Sequence, residues 1–214
     1  MKLLSLFLIA TPLPATATEL GKVSGRIPIP TGYGARIAVE KYTGTISGRV
    51  APNPPPRAAI WIEGPGLHAP PTPLGVTLDQ KNYQFAQSML VIPRGTVVEF
   101  PNEDPDYHNI FSLSRTERFD LGRFKKDENP APSVRFDTAG LVRLQCEIHE
   151  HMRAIIRVVD SPHFTTTDET GHFLLTQLPP GKWLLHAQLD EKHQWTLPIT
   201  ITAGQTLTAD FQKP

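Results

Sequence analysis

The sequence predicts an all-β fold of two β-sandwiches, and three observations carry the prediction. Runs rich in β-branched and aromatic residues recur along the chain, and all are short. Proline and glycine, 22 and 15 of the 214 residues, break these runs at close intervals. Long stretches with the 3.6-residue apolar period of a helix are missing. The run Leu141-Val142-Arg143-Leu144-Gln145-Cys146 shows the strand pattern most clearly. Val142, Leu144 and Cys146 share one face, and Arg143 and Gln145 share the other.

The chain opens with Lys2, an apolar run from Leu3 to Ala10, and Ala15-Thr16-Ala17. A positive start, a short apolar stretch and small residues at A-x-A spacing make residues 1–17 a secretory signal, cleaved near Ala17. The apolar run is too short to span a bilayer, and no later segment reaches the roughly 20 apolar residues of a membrane helix. No cysteine follows the run to take a lipid anchor. The expectation is a periplasmic or otherwise exported protein without a membrane span.

Residues 18–44 read as an N-terminal strand segment, with strands at Lys22 to Ile27 and Arg36 to Glu40. Residues 45–160 read as the first sandwich. Its strands are expected at Thr45 to Val50, Ala58 to Ile62, Met89 to Ile92 and Thr96 to Phe100. Further strands are expected at His108 to Ser112, Ser133 to Phe136, Leu141 to Cys146 and Arg153 to Val159. Pro52-Asn53-Pro54-Pro55-Pro56 and Pro70-Pro71-Thr72-Pro73 lack the N–H groups of a central strand and are expected in surface loops. Arg118 to Pro132 is polar and turn-rich, which predicts a long connection carrying a helical turn or facing a partner. Val23-Ser24-Gly25-Arg26-Ile27 resembles Ile46-Ser47-Gly48-Arg49-Val50, and Ile37 to Glu40 resembles Ile60 to Glu63. Either a duplicated strand pair or chance similarity explains this. Asp160-Ser161-Pro162 marks a domain boundary, and residues 161–214 form the second sandwich. Its strands are expected at His163 to Thr166, His172 to Thr176, Trp183 to Leu189, Trp195 to Ile201 and Thr206 to Phe211.

Charge excludes one class of function. With 21 basic and 21 acidic residues the chain lacks the basic footprint of a nucleic-acid binder. The single cysteine points to another. In an oxidising compartment Cys146 has no internal disulfide partner, so it is an intermolecular bridge, a buried inert thiol, or a reactive or ligating group. Its neighbours favour ligation. Cys146-Glu147-Ile148-His149-Glu150-His151-Met152 puts a thiolate, an imidazole and a thioether at Cys-x-x-His-x-x-Met spacing. His108-Asn109 follows the strand-like run Thr96 to Phe100 upstream. Two imidazoles, a thiolate and a weak thioether are the ligand set of a mononuclear blue-copper centre. The other histidines, His68, His163, His172, His186 and His193, show no ligand spacing.

With these residues in view, the stretch from Gln84 to Val159 resembles the amicyanin and plastocyanin branch of the cupredoxins, and residues from about Thr45 add its first strands. The gap between His149 and Met152 is similar to that of amicyanin. The resemblance implies a Greek-key sandwich holding one type 1 copper. His108, Cys146 and His149 would lie in a trigonal plane, with Met152 as a long axial ligand. It also implies that Asn109 ties the two ligand loops together. Glu147, Glu150 and His151 depart from the small, apolar or proline residues of that family's loop. His151 and Glu150 therefore stay open as alternative ligands. The loop would surround an exposed ligand edge, with His149 as the electron exit and a charged rim suited to a different partner.

Thr167-Asp168-Glu169-Thr170-Gly171-His172 and Leu178-Pro179-Pro180-Gly181 make turns between strands. From Pro162 to Phe211 the chain resembles the carboxypeptidase regulatory-like, transthyretin-like β-sandwich, an immunoglobulin-like accessory module that binds carbohydrate in some related folds. The fusion is similar to periplasmic proteins of the methylamine utilisation type. The leading expectation is a non-enzymatic carrier of single electrons between redox partner proteins. The alternative is a copper-binding protein for storage, sensing or delivery, with the C-terminal domain as a binding module, carbohydrate among its ligands. A thiol enzyme using Cys146 with His149 as base would leave His108 and Met152 unexplained.

Overall fold

The computed structural model describes residues 19–33, 46–68, 75–127 and 130–212. The expected signal and the strand at Arg36 to Glu40 lie outside these residues. Among the described residues all regular elements are strands, and no helix is long and apolar enough to cross a membrane. In chain order they are β1 Gly21–Arg26, β2 Ala59–Glu63, β3 Gly75–Thr77, β4 Gln80–Lys81, β5 Gln84–Phe85 and β6 Met89–Pro93. Next come β7 Thr96–Glu99, β8 His108–Leu113, β9 Arg118–Phe124, β10 Ser133–Phe136, β11 Gly140–Gln145 and β12 Arg153–Val159. The series ends with β13 Phe164–Thr166, β14 His172–Leu178, β15 Gly181–Gln188, β16 Gln194–Ile201 and β17 Thr206–Thr208.

Two sheets, in the orders β6-β12-β11-β8-β9 and β10-β7-β3, build the first sandwich. Val142 and Leu144 of β11 and Ala154, Ile156 and Val158 of β12 point inward, as their alternation requires. They pack with Phe100, Ile110 and Phe136 in one buried cluster, and Cys146 and Met152 belong to the same cluster. β6 joins β12 in parallel, and β11 joins β12 in antiparallel register. The all-β sandwich that the sequence predicts is present.

Two other sheets, β14-β1-β17 and β13-β2-β15-β16, build the second sandwich. Val23, Ile60, Ile62, Leu175, Leu185 and Ile199 are among the residues of its core. Two strands therefore lie elsewhere than the sequence reading placed them. β1 is a central strand here, antiparallel to β14 and parallel to β17. β2, expected in the first sandwich, lies between β13 and β15. Alternation identifies a strand but not its partner, and these partners are more than 100 residues away.

Three local expectations also change. Of the strand expected at Thr45 to Val50, the described residues 46–50 are not a strand: residues 46–48 form a bend, so the likeness to Val23 to Ile27 is not a structural repeat. The expected connection at Arg118 to Pro132 begins with β9, which pairs with β8. A bulge lies between Asn109 and Phe111, and Gly122 opposite it has φ +70°. Asp120 and Gly122, within that turn-rich stretch, serve this bulge. Finally, β4 and β5 form a tight hairpin whose two loop residues, Asn82 and Tyr83, both have positive φ, 53° and 59°. Left-handed backbone suits Asn but is uncommon for Tyr.

The outer face of β6 and β12 packs on the second sandwich. Met89, Val91 and Val159 are buried against Ala59 and Trp61, with Ile155 and Phe164 beside them. Arg157 of β12 lies 4.2 Å over the Trp61 ring and donates from Nη1 to Gln188 Oε1 at 2.9 Å. His186 stacks on the same indole at 4.9 Å.

Candidate metal centre

Three side chains converge at one end of the first sandwich. Cys146 directly follows β11, whose alternation aims it toward the core. The chain then makes a tight loop: Met152 N donates to His149 O at 2.8 Å, and Cys146 N to Met152 O at 3.4 Å. These bonds turn His149 back toward Cys146. His108 opens β8, the neighbour of β11. Among the described residues, the grouped metal-binding side chains are His108, Cys146 and His149, with donor atoms within 4.8 Å of one another. All three residues are buried.

Both imidazoles present Nδ1 to this point. The two Nδ1 atoms are 3.0 Å apart, and His149 Nδ1 is 4.0 Å from Cys146 Sγ. Metal–nitrogen bonds of about 2.0 Å and metal–sulfur bonds of about 2.3 Å separate donors around one ion by such distances. A thiolate with two imidazoles fits copper. The outer nitrogen of His108 is also fixed: Nε2 donates to Asp104 Oδ2 at 2.8 Å. Asp104 is buried and also accepts from the backbone of Asn82, at 2.6 Å, and of Tyr83, at 2.8 Å. A carboxylate on the far nitrogen fixes tautomer and ring plane and raises the basicity of Nδ1.

The electrostatics follow from these contacts. Burial opposes a thiolate at Cys146. Hydrogen bonds from His108, His149 and the backbone of Asn109 outweigh it and hold the thiol down at about 6. Burial alone would lower His108, but Asp104 and Cys146 raise it above the ordinary histidine value. Burial works against Asp104 as well, and its bonds to His108, Tyr83 and Asn82 hold it below the usual carboxylate range.

The remaining residues of interest lie around this point. The Met152 side chain is fully buried in the cluster that holds Cys146. Asn109 bridges two segments, accepting from Glu147 N at 2.9 Å and donating to Asp120 Oδ1 at 2.8 Å. His151 is turned to the hairpin, with Nε2 donating to Tyr83 O at 2.8 Å, and burial lowers its pKa. Glu150 is exposed. Neither belongs to the His108–Cys146–His149 group.

The sequence reading missed the cover of the site. His149 is only 3% exposed, which corrects the expectation of an open ligand edge. The Tyr83 ring stands edge-on to both imidazoles, 5.3 Å from His149 and 5.7 Å from His108. Its hydroxyl donates to Asp106 Oδ2 at 2.7 Å. Asp106 also accepts from Ser47 N and Ser47 Oγ, each at 2.8 Å, while Ala51 N donates to Asn82 O at 2.9 Å. Residues 46–51 thus strap the hairpin over the centre. Two signals for this were available: an acidic residue four positions before His108, and an Asn in a two-residue gap between short strand-like pairs.

Residues 152–213 match the family model of the carboxypeptidase regulatory-like domain. The chain carries that domain. The match begins at Met152, just before β12, which pairs within the first sandwich, and it omits β1 and β2, which complete the second. No curated protein matches the chain. A Cu-containing nitrite reductase (NirK) from Thermus scotoductus SA-01 is similar at 30% identity with a TM-score of 0.38, over 41% of this chain and 23% of its own. The chain thus spans under a quarter of that enzyme's length. A reduced Cu(I) form of an amicyanin variant is similar at 19% identity and TM-score 0.37, over 47% of this chain and 98% of its own. A purple cupredoxin from Nitrosopumilus maritimus is similar at 21% identity and TM-score 0.34, over 40% of this chain and 98% of its own.

Proposed function

We propose that this chain is an exported, periplasmic type 1 copper protein that carries single electrons between redox partner proteins. One observation supports it above all: two Nδ1 atoms and one thiol sulfur converge in a buried pocket at the end of a sandwich. In this reading His108, Cys146 and His149 hold the copper and Met152 is the weak axial ligand, as the Cys-x-x-His-x-x-Met spacing suggests. Copper bound there supplies a one-electron couple. The chain supplies the rest. Asp104 orients His108, Asn109 ties the ligand loop to β8, and the hairpin with its strap excludes water. A site fixed on two packed strands changes little between oxidation states, which favours electron transfer. The same burial speaks for a carrier over a storage or delivery protein, since handing on the metal itself requires ligands that a recipient can reach. Export rests on the N-terminal sequence.

The test is an optical and EPR spectrum of the copper-loaded mature protein. A strong thiolate-to-copper band and reversible one-electron titration are expected. Cys146→Ser should abolish the band, because an alcohol is a poor soft ligand. A full visible band in that variant would refute the assignment.

A further inference from the structure

The cleft between the two sandwiches has a chemistry that the metal centre does not use. The register Arg143↔Ile155, Gln145↔Arg153 and Leu141↔Arg157 gives β11 and β12 a common outer face, opposite the core. Three arginines stand on it. At one end the face is closed, where Arg157 lies on Trp61. At the other end the sandwiches part around a cavity of about 490 Å³. Arg143, Gln145, Arg153 and Ile155 line one side of it, and Tyr33 and Asp190 of the second sandwich also line it.

We propose that this cavity binds a small organic anion with an apolar body. Its volume lies in the range of small-molecule sites, which favour domain junctions. Two guanidinium groups on neighbouring strands suit the oxygens of a carboxylate, sulfonate or phosphate ester. Ile155, with Pro54 and Pro56, offers contact to the apolar body. Among the lining residues two arginines stand against one carboxylate, Asp190, and its oxygens are turned to Tyr33 and to its own turn. Asp190 already accepts from the Tyr33 hydroxyl at 2.7 Å and from the backbone N–H groups of Lys192 and His193, both at 2.7 Å. Glu191 reaches Arg143 at 3.2 Å, but both side chains are more than half exposed, and such pairs contribute little. Arg153 Nε donates to Glu150 O at 3.1 Å, which engages one of its five N–H donors. His151 also lines the cavity, so the occupant sits beside the loop that carries His149.

The probe for the test is 8-anilinonaphthalene-1-sulfonate, an anion with an apolar body, titrated by fluorescence into the metal-free mature chain. Saturable binding at one site is expected. Arg143→Gln and Arg153→Gln should each weaken it about tenfold, the scale of a lost charge-assisted contact. Both side chains are exposed, and an unchanged far-ultraviolet circular dichroism spectrum checks that the variants fold. Benzoate should displace the probe, and neutral benzamide should not. Non-saturable binding, equal affinity in both variants, or equal displacement by benzamide would overturn the proposal. None of these outcomes depends on copper, so the result stands apart from the proposed function.

Discussion

Replacing Asp104 with Asn should destabilise the metal-free protein by about 3 kcal/mol, and the figure follows from the hydrogen bonds. Asp104 is 5% exposed and accepts three: one at Oδ1 from Asn82 N, and two at Oδ2 from Tyr83 N and His108 Nε2. Asn has the same shape but only one acceptor oxygen. If that oxygen keeps the Oδ2 position, the amide NH2 faces the Asn82 N–H, and a buried donor is left unmatched at a cost of about 1–3 kcal/mol. The two surviving bonds lose their charge, which removes roughly half the strength of each, about 1 kcal/mol in all. The total lies at the lower edge of the roughly 3–5 kcal/mol measured when one partner of a buried ion pair is removed. Urea unfolding followed by near-ultraviolet circular dichroism reads the effect as a lower midpoint with an unchanged slope. A change under about 1 kcal/mol would refute the reasoning, because it would mean that the carboxylate charge is not engaged by its three donors.

Three further outcomes are expected. In the metal-free protein the Cys146 thiolate, followed by its ultraviolet absorbance, should form with a midpoint near pH 6, well below the unperturbed value of 9.0. A depressed folded-state value adds stability above the unfolded value of 9.0 that is lost as the pH falls through about 6, so melting temperature should drop across that window if His108 and His149 hold the thiolate. Met152→Leu should keep copper bound and raise the reduction potential in voltammetry, since losing a weak thioether disfavours Cu(II); complete loss of copper would make Met152 a principal ligand or a packing residue. Arg157→Ala should cost about 2–3 kcal/mol in calorimetry, from the lost stacking on Trp61 and the bond to Gln188; an unchanged melt would show that the apolar contacts of Met89 and Val91 hold the sandwiches together unaided.

The grouping of Cys146 with His149 was legible because its information is local. The two lie three positions apart, and the alternation of β11 fixes which way Cys146 faces. What surrounds it was not legible, because it comes from distant segments. Tyr83 reaches the imidazoles only because two consecutive residues adopt left-handed backbone, and nothing in Asn82-Tyr83 demands this as Asn-Gly would. Ser47 covers the site through Asp106, 59 residues away. The strand at β9 hid behind Asp120 and Gly122, whose turn chemistry serves a bulge instead. β1 and β2 were recognisable as strands, but their partners were not, since sequence patterns favour neighbours.

That last feature also constrains how the molecule is made and cut. β1 waits for β14 and β17, and β2 waits for β13 and β15, so the second sandwich closes only when the final 50 or so residues have emerged. Until then Val23, Ile60 and Ile62 sit on strands with open edges, a template for aggregation while the chain is incomplete. The same wiring defeats an obvious shortcut. Cutting the chain at Asp160 to isolate the metal-binding half leaves β1 and β2 attached to it without any of their partners. A soluble fragment therefore requires removing residues from three separate stretches, and the internal gap left by β2 must be rejoined across the interface that Trp61 occupies.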